Sequence, residues 1–384
     1  MRVKPNYTGE GIVNLMSSIA SAVGTKSPYP EMKDDWLSGI EDSKNIVLMA
    51  VDGLGYEYLM NHGKDTVLAS SAQGSLTSVF PPSTGSAITT FITGLPPQQH
   101  AVTGWYVFLK EYGIMSRILP FTSVVDWNVL DTDIAYVVNV ESLFWEIKRN
   151  RIVVAGKQIV DSAFSQYTIG HSAKRIGYEG LRNFFECMEK AIAVGEKPSY
   201  IYSYWPELDS IAHILGIESV EARDHLQVFD QALKEFIERI EGTDTTLIIT
   251  SDHGLHEVNP EGLIKTGDHP ELMESLTLPL CGDTRSVYCY VRPSYIRKFE
   301  DYVNSELGHA CTIHKSEDLV NDNWFGLYEA NPMLSGRVGD YTLLFNEGYA
   351  ILNSFPGQEP PALLGHHGGT SSEEMNVPLI VINR

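Results

Sequence analysis

The sequence predicts an α/β fold: a central, mainly parallel sheet flanked by helices, with an inserted α+β cap. Three observations carry this. Five apolar runs of strand length are continuous rather than alternating, as expected for strands buried on both faces. Helical patterns, apolar on one side and charged on the other, lie between them. The chain has 384 residues and is 43% hydrophobic, enough to bury a sizeable core and to exclude general disorder.

The strand runs, in order, are Asn45–Val51, Arg151–Ala155, Ser199–Tyr204, Thr245–Thr250 and Val377–Ile382. The clearest helix spans Val220 to Ile240, where Val220, Phe229, Leu233, Phe236 and Ile240 recur at helical spacing. Past residue 284 the rhythm breaks. A short strand (Ser286–Val291), a helix (Ser294–Leu307) and Gly/Pro/Asn-rich loops follow. Residues 1–283 and 351–384 are therefore expected to form the catalytic core, and 284–350 an inserted cap. The stretch 104–139, with Trp105, Tyr106, Phe108 and Trp127, reads as an irregular cover over a site.

The formal net charge is -21, with no basic stripe. That disfavours nucleic-acid polymers and anionic membrane surfaces as partners. A small anionic substrate stays open, because bound cations reverse the local field. No apolar run approaches the roughly 20 residues of a membrane span, and no continuous apolar leader segment is evident. The four cysteines, Cys187, Cys281, Cys289 and Cys311, form no C-x-x-C pair. They read as buried thiols in a reducing compartment, so the expected location is cytoplasmic.

Open α/β sheets bind ligands at the carboxyl ends of their strands. Asp52-Gly53 follows the first run, and Ser251-Asp252-His253-Gly254 follows Thr245–Thr250. Asp209 and His213, four apart on an expected helix, follow Ser199–Tyr204; His366-His367-Gly368-Gly369 precedes the last run. Each motif alone is more often a turn or a surface pair. Their joint occurrence at strand ends is what points to Asp and His ligands for divalent cations. Asp268-His269 follows no strand and reads as a loop pair; His256 and His366 read as neighbours of ligands rather than ligands. A further segment, Pro81-Pro82-Ser83-Thr84-Gly85, should open a helix over Thr84–Thr93. A hydroxyl there is ordinarily a cap. At the positive end of a helix and beside a cation, it is also a candidate nucleophile.

Together these motifs resemble the alkaline phosphatase superfamily, and within it the nucleotide pyrophosphatase/phosphodiesterase branch, which also includes phosphonoacetate hydrolase. The resemblance runs from Asn45 to Ile382, with motifs in family order. It implies two divalent cations, most simply zinc, with manganese or iron also fitting the donors. It assigns Asp209, His213 and His367 to one cation, and Asp52, Asp252, His253 and Thr84 to the other. Thr84, nine residues before the threonine of Thr93-Gly94, takes the nucleophile's place. The implied reaction is hydrolysis of phosphodiester or pyrophosphate bonds in nucleotide-like small molecules, through a phospho-threonine. His100 and Trp105, downstream of the helix, are expected to line the pocket.

One position departs from the branch: Ala87 stands where its phosphodiesterases usually carry a phosphate-binding Asn. A phosphomonoesterase or a carbon–phosphorus hydrolase is thus an alternative. A phosphotransferase or mutase, or a non-catalytic metal-binding protein, is an alternative of another class. No sulfatase signature is present.

Overall fold

The computed structural model describes residues 2–353 and 363–384. Its central sheet has seven strands: β1 (Asn45–Val51), β2 (Ala72–Thr77), β3 (Asn150–Gly156), β4 (Lys174–Tyr178), β5 (Ser199–Trp205), β6 (Thr245–Thr250) and β7 (Asn376–Asn383). The spatial order is β2-β7-β6-β1-β5-β3-β4. β1 pairs in parallel with β5 and β6, and β3 with β4 and β5; β7 alone runs against its neighbours β2 and β6. The mainly parallel α/β architecture read from the sequence is therefore present.

Each of the five predicted runs is a strand of this sheet. β1 shows why the runs are unbroken. Ile46, Leu48 and Ala50 enter the core on one face, while Val47, Met49 and Val51 enter the core on the other. The two strands without an apolar run lie at the sheet edges. β2 (AQGSLT) and β4 (KRIGY) are partly exposed along their length, and polar residues there are compatible with an edge.

Helices cover both faces. α1 (Ile12–Ala22) and α2 (Thr84–Thr93) pack on one side. α3 (Gly180–Ile192), α4 (Glu207–Leu215) and α5 (Val220–Arg239) pack on the other. The predicted helix over Thr84–Thr93 and the long helix from Val220 both form.

A second, antiparallel sheet lies beside the core. Its strands, in spatial order, are Cys311–Lys315, Tyr341–Phe345, Ser286–Cys289, Cys281–Gly282, Tyr106–Leu109, Ile114–Arg117 and Thr122–Ser123. It thus joins strands of the 284–350 region to strands from residues 106–123. The stretch 104–139, expected to be irregular, contributes three strands to it. They are two to four residues long, too short for an alternating pattern to stand out in sequence. The predicted helix over Ser294–Leu307 forms as Ile296–Tyr302 continued by a π turn over Val303–Leu307.

Candidate metal centre and nucleophile

Topology brings the motifs together. Asp52 follows β1, Asp252 and His253 follow β6, and the loop after β5 enters α4 with Asp209 and His213. β7 is antiparallel, so its beginning, not its end, meets the carboxyl ends of the parallel strands. His367 precedes that beginning. β2 exits toward the same rim and leads through Ser83 into α2.

The inner group is Asp52, Asp252 and His253, all fully buried. His253 Nε2 lies 3.4 Å from Asp52 Oδ1 and 3.4 Å from Asp252 Oδ2. Thr84 Oγ1 is 3.1 Å from the same nitrogen. The other ring nitrogen, Nδ1, is 3.1 Å from the Gly254 carbonyl. A carbonyl only accepts, so Nδ1 carries the proton and Nε2 presents its lone pair inward. Both carboxylates are pinned by one oxygen. Asp252 Oδ1 accepts from the Gly53 amide at 3.3 Å, the His253 amide at 3.1 Å and Ser251 Oγ at 3.2 Å. Asp52 Oδ2 accepts from the Tyr204 hydroxyl. Gly53 makes this packing feasible. Its φ is 77°, and a Cβ would sit 2.7 Å from Leu255 and 3.1 Å from the Asp209 backbone.

The outer group is Asp209, His213 and His367. Asp209 and His213 sit one turn apart on α4, with Nε2 and Oδ2 3.3 Å apart. His213 Nδ1 donates to the Gly365 carbonyl at 2.8 Å. The His367 ring stacks on His253 with centroids 3.9 Å apart and lies 5.2 Å from the His213 ring. Asp209, His253 and His367 offer ligand atoms within 4.8 Å of one another, as do Asp52, Asp252 and His253. His253 therefore stands between the groups. Its two contacts at 3.4 Å to Asp52 and Asp252 place it with the inner one.

The donors fit divalent cations. Asp52 Oδ1, Asp209 Oδ1 and Asp252 Oδ2 are buried without a hydrogen-bond partner. Orphaned buried acceptors are costly, and here they converge. Burial, with Asp252 and Asp209 close by, drives the Asp52 carboxyl far above its ordinary range. Burial likewise pushes the His367 imidazole well down, reinforced by His253. Burial alone would raise Asp209 and lower His213, but their mutual attraction wins. Asp209 ends below the usual carboxylate range and His213 rises to about 9. Crowded buried carboxylates of this kind are stabilised together by a cation.

The profile of the type I phosphodiesterase/nucleotide pyrophosphatase family matches residues 46–370. The chain belongs to that family. Solved structures share its fold. Human ectonucleotide pyrophosphatase/phosphodiesterase 5 is 18% identical with a TM-score of 0.66, over 88% of this chain and 87% of that one. An inactive threonine-to-alanine form of the murine protein, in complex with AMP, is 16% identical with a TM-score of 0.66, over 87% of each chain. Phosphonoacetate hydrolase from Sinorhizobium meliloti 1021, in complex with phosphonoformate, is 16% identical with a TM-score of 0.63, over 87% and 89%. No curated protein matches the sequence.

The remaining predicted residues of this phosphodiesterase-family chain separate. Trp105 is partly exposed, and its backbone faces Asp283 beside Ser83. His100, expected to line the pocket, is fully buried. It is wholly enclosed behind α2, with Nδ1 accepting from the Val102 amide at 3.0 Å and Nε2 3.2 Å from Thr90 Oγ1. Burial, with Arg337 nearby, lowers it to about 3, so it is neutral. His269 bonds Tyr302 at 2.8 Å, His256 pairs with Glu373, and His366 faces Thr284 at 2.9 Å. Two residues at the site carried no sequence signal. Tyr204 ends an apolar run, where an aromatic is ordinary. Asp283 lies in a tight turn, where an aspartate is ordinary.

Proposed function

We propose that the chain is a two-metal hydrolase of small phosphate esters, acting on phosphodiester or pyrophosphate bonds with Thr84 as nucleophile. The observation that carries this reading is the placement of Thr84 Oγ1 3.1 Å from His253 Nε2, at the first residue of α2 and against the buried Asp52–Asp252–His253 group. The inactive threonine-to-alanine form of the murine relative seen with AMP supports both a threonine nucleophile and a nucleotide-like substrate.

Two divalent cations, most simply zinc, held by Asp52, Asp252, His253 and by Asp209, His213, His367, would supply positive charge for the Thr84 oxygen and the phosphoryl oxygens. Thr84 lies at the positive end of α2, which also favours its alkoxide. Its Oγ1 forms the bond to phosphorus as the leaving oxygen departs. Water then displaces the phosphoryl group from Thr84. Ala87 cannot bond a phosphoryl oxygen. The first amides of α2, which have no partner within the helix, take over that task.

Ala87 and the likeness to phosphonoacetate hydrolase keep a second reading in play, a phosphonate hydrolase. A panel of bis-p-nitrophenyl phosphate, p-nitrophenyl phosphate and phosphonoacetate, each with zinc, manganese or iron(II), separates the two. The diester should be hydrolysed fastest. Turnover of phosphonoacetate alone would move the assignment to carbon–phosphorus cleavage. A panel hydrolysed by neither route would remove the hydrolase reading.

The protein has no helix long and apolar enough to cross a membrane among the described residues. Its four cysteines are free and buried, which supports a reducing, cytoplasmic setting.

A further inference from the structure

We propose that Asp283 is a positioning residue for His367, fixing which ring nitrogen that histidine offers and tying it to the start of the nucleophile helix. The inference rests on the two-metal reading above.

The three histidines of the centre are not held alike. His253 and His213 each place Nδ1 on a backbone carbonyl, of Gly254 at 3.1 Å and of Gly365 at 2.8 Å. Each thereby turns Nε2 toward its carboxylates. His367 Nδ1 has no such carbonyl and is buried without a hydrogen bond. The group beside it is Asp283, whose Oδ1 lies 3.9 Å away. Asp283 is itself buried, and its Oδ2 is another buried oxygen without a hydrogen bond. Asp283 Oδ1 already accepts from Ser83 and, as a carboxylate oxygen, can accept a second bond, so an Nδ1–H on His367 reaches it if the two close by about 1 Å. A carboxylate on Nδ1–H then leaves Nε2 of His367 as the ligand atom, as in the other two rings, and raises its basicity.

Asp283 is also anchored on its far side. Ser83 occupies the cap position of α2, yet its hydroxyl makes no cap bond. It donates instead to Asp283 Oδ1 at 3.0 Å. A serine that forgoes its usual cap for a buried carboxylate links the position of Thr84, the next residue, to that of His367. The space is reserved by two glycines. A Cβ on Gly104 would lie 2.6 Å from Asp283 Oδ2, and one on Gly368 would lie 2.4 Å from Asp283 Cβ. Both have positive φ, 142° and 94°, so side chains are disfavoured there on two counts.

The test uses the full chain with zinc alone as the probe, titrated against a competing chelator, for wild type, Asp283→Asn and Ser83→Ala. Asn keeps the shape but loses the charge. Asp283→Asn should weaken one of the two zinc ions by roughly 10- to 100-fold and leave the other unchanged. Ser83→Ala should weaken the same ion by less. Histidine nitrogen NMR of the zinc-loaded protein should show His367 protonated at Nδ1 in the wild type, with that signal displaced in Asp283→Asn. A purely structural role would instead lower the unfolding temperature of the metal-free variant while both zinc affinities stayed at wild-type values, and that result overturns the proposal. So does a His367 ring found unprotonated at Nδ1. A wild-type chain that takes up no zinc overturns this inference and the two-metal reading together; two ions bound with Asp283→Asn indistinguishable from wild type overturns this inference alone.

Discussion

The two halves of the metal centre are built differently. The inner group stands on the ends of β1 and β6, adjacent strands at the middle of the sheet, and its three side chains are at most 2% exposed. Asp252 and Asp52 each have one oxygen held by amides or hydroxyls that belong to the strand ends. The outer group stands on α4 and on the loop before β7, and the His213 side chain is 23% exposed. The sheet thus fixes the half that Thr84 touches. The half facing solvent stands on elements that pack onto the sheet. On the proposed reading, rigid positioning is of most value on the side where Thr84 is aligned, and access matters most on the other.

The sharpest way to break this comparison is Thr84→Ala. Thr84 Oγ1 faces the inner group, so its loss should lower kcat by about 10³-fold or more. Both ions should remain on elemental analysis, because the carboxylates and imidazoles that hold them are untouched. Turnover near wild type would remove Thr84 as nucleophile. Loss of an ion without His or Asp substitution would mean that the hydroxyl is needed to hold it.

Next come the carboxylates, exchanged for their isosteric amides. Asp252→Asn removes a charge that sits buried between Asp52 and His253, and should eliminate the inner ion and essentially all activity. Asp209→Asn removes a charge that His213 already partners. It should weaken the outer ion by roughly 100-fold or less, so that excess zinc restores a measurable rate. Restoration in Asp252→Asn but not in Asp209→Asn would reverse the assignment of rigid and accessible halves.

How much of this was legible beforehand divides along the same line. Asp52, Asp252 and His253 could be found because they directly follow apolar runs, and parallel strands must end on one rim. Asp209 and His213 could be found because their spacing puts both on one face of α4. Asp283 could not. It sits 200 positions from Ser83 and 84 from His367, in a turn between strands too short to show a period, and its importance comes only from burial. Tyr204 was hidden by looking like the strand residue it also is. His100 could not be placed either: nearness in sequence to α2 does not say which side of the helix a residue packs against, and the structure bonds it to the Val102 amide beside Thr90.

The outer pair also sets a pH dependence. Asp209 holds the His213 imidazole up at about 9, so the ring is protonated at neutral pH in metal-free protein and must lose that proton to bind a cation. The sign follows: affinity of the outer site for zinc should rise with pH below about 9, by roughly tenfold per unit for one proton, and flatten above. Chelator-buffered titrations at three pH values measure this. In Asp209→Asn the His213 ring loses the partner that holds its proton, and the slope between pH 7 and 9 should shrink. An unchanged slope would mean that another group supplies the proton.

The smallest expected effect concerns His100, and it separates bracing from binding. His100 is buried, neutral and bonded to the Val102 amide. His100→Leu fills the space but leaves that amide unpaired, at a cost of about 1–3 kcal/mol in unfolding free energy. Activity per folded, metal-loaded molecule should stay within about twofold of wild type, since α2 is braced along Thr90 rather than at Thr84. The pH profile gives an independent reading. His100 has its folded pKa lowered to about 3, so in acid the unfolded chain binds a proton that the folded chain refuses. Its contribution to stability is complete above the ordinary histidine pKa near 6.5 and declines as pH falls below it. Between pH 6.5 and 4, the wild type should therefore lose about 1.4 kcal/mol per unit more than His100→Leu. Denaturant unfolding of the two proteins across that window decides it. Parallel profiles would mean that His100 is not held neutral, and a large fall in kcat with stability intact would return it to the pocket wall.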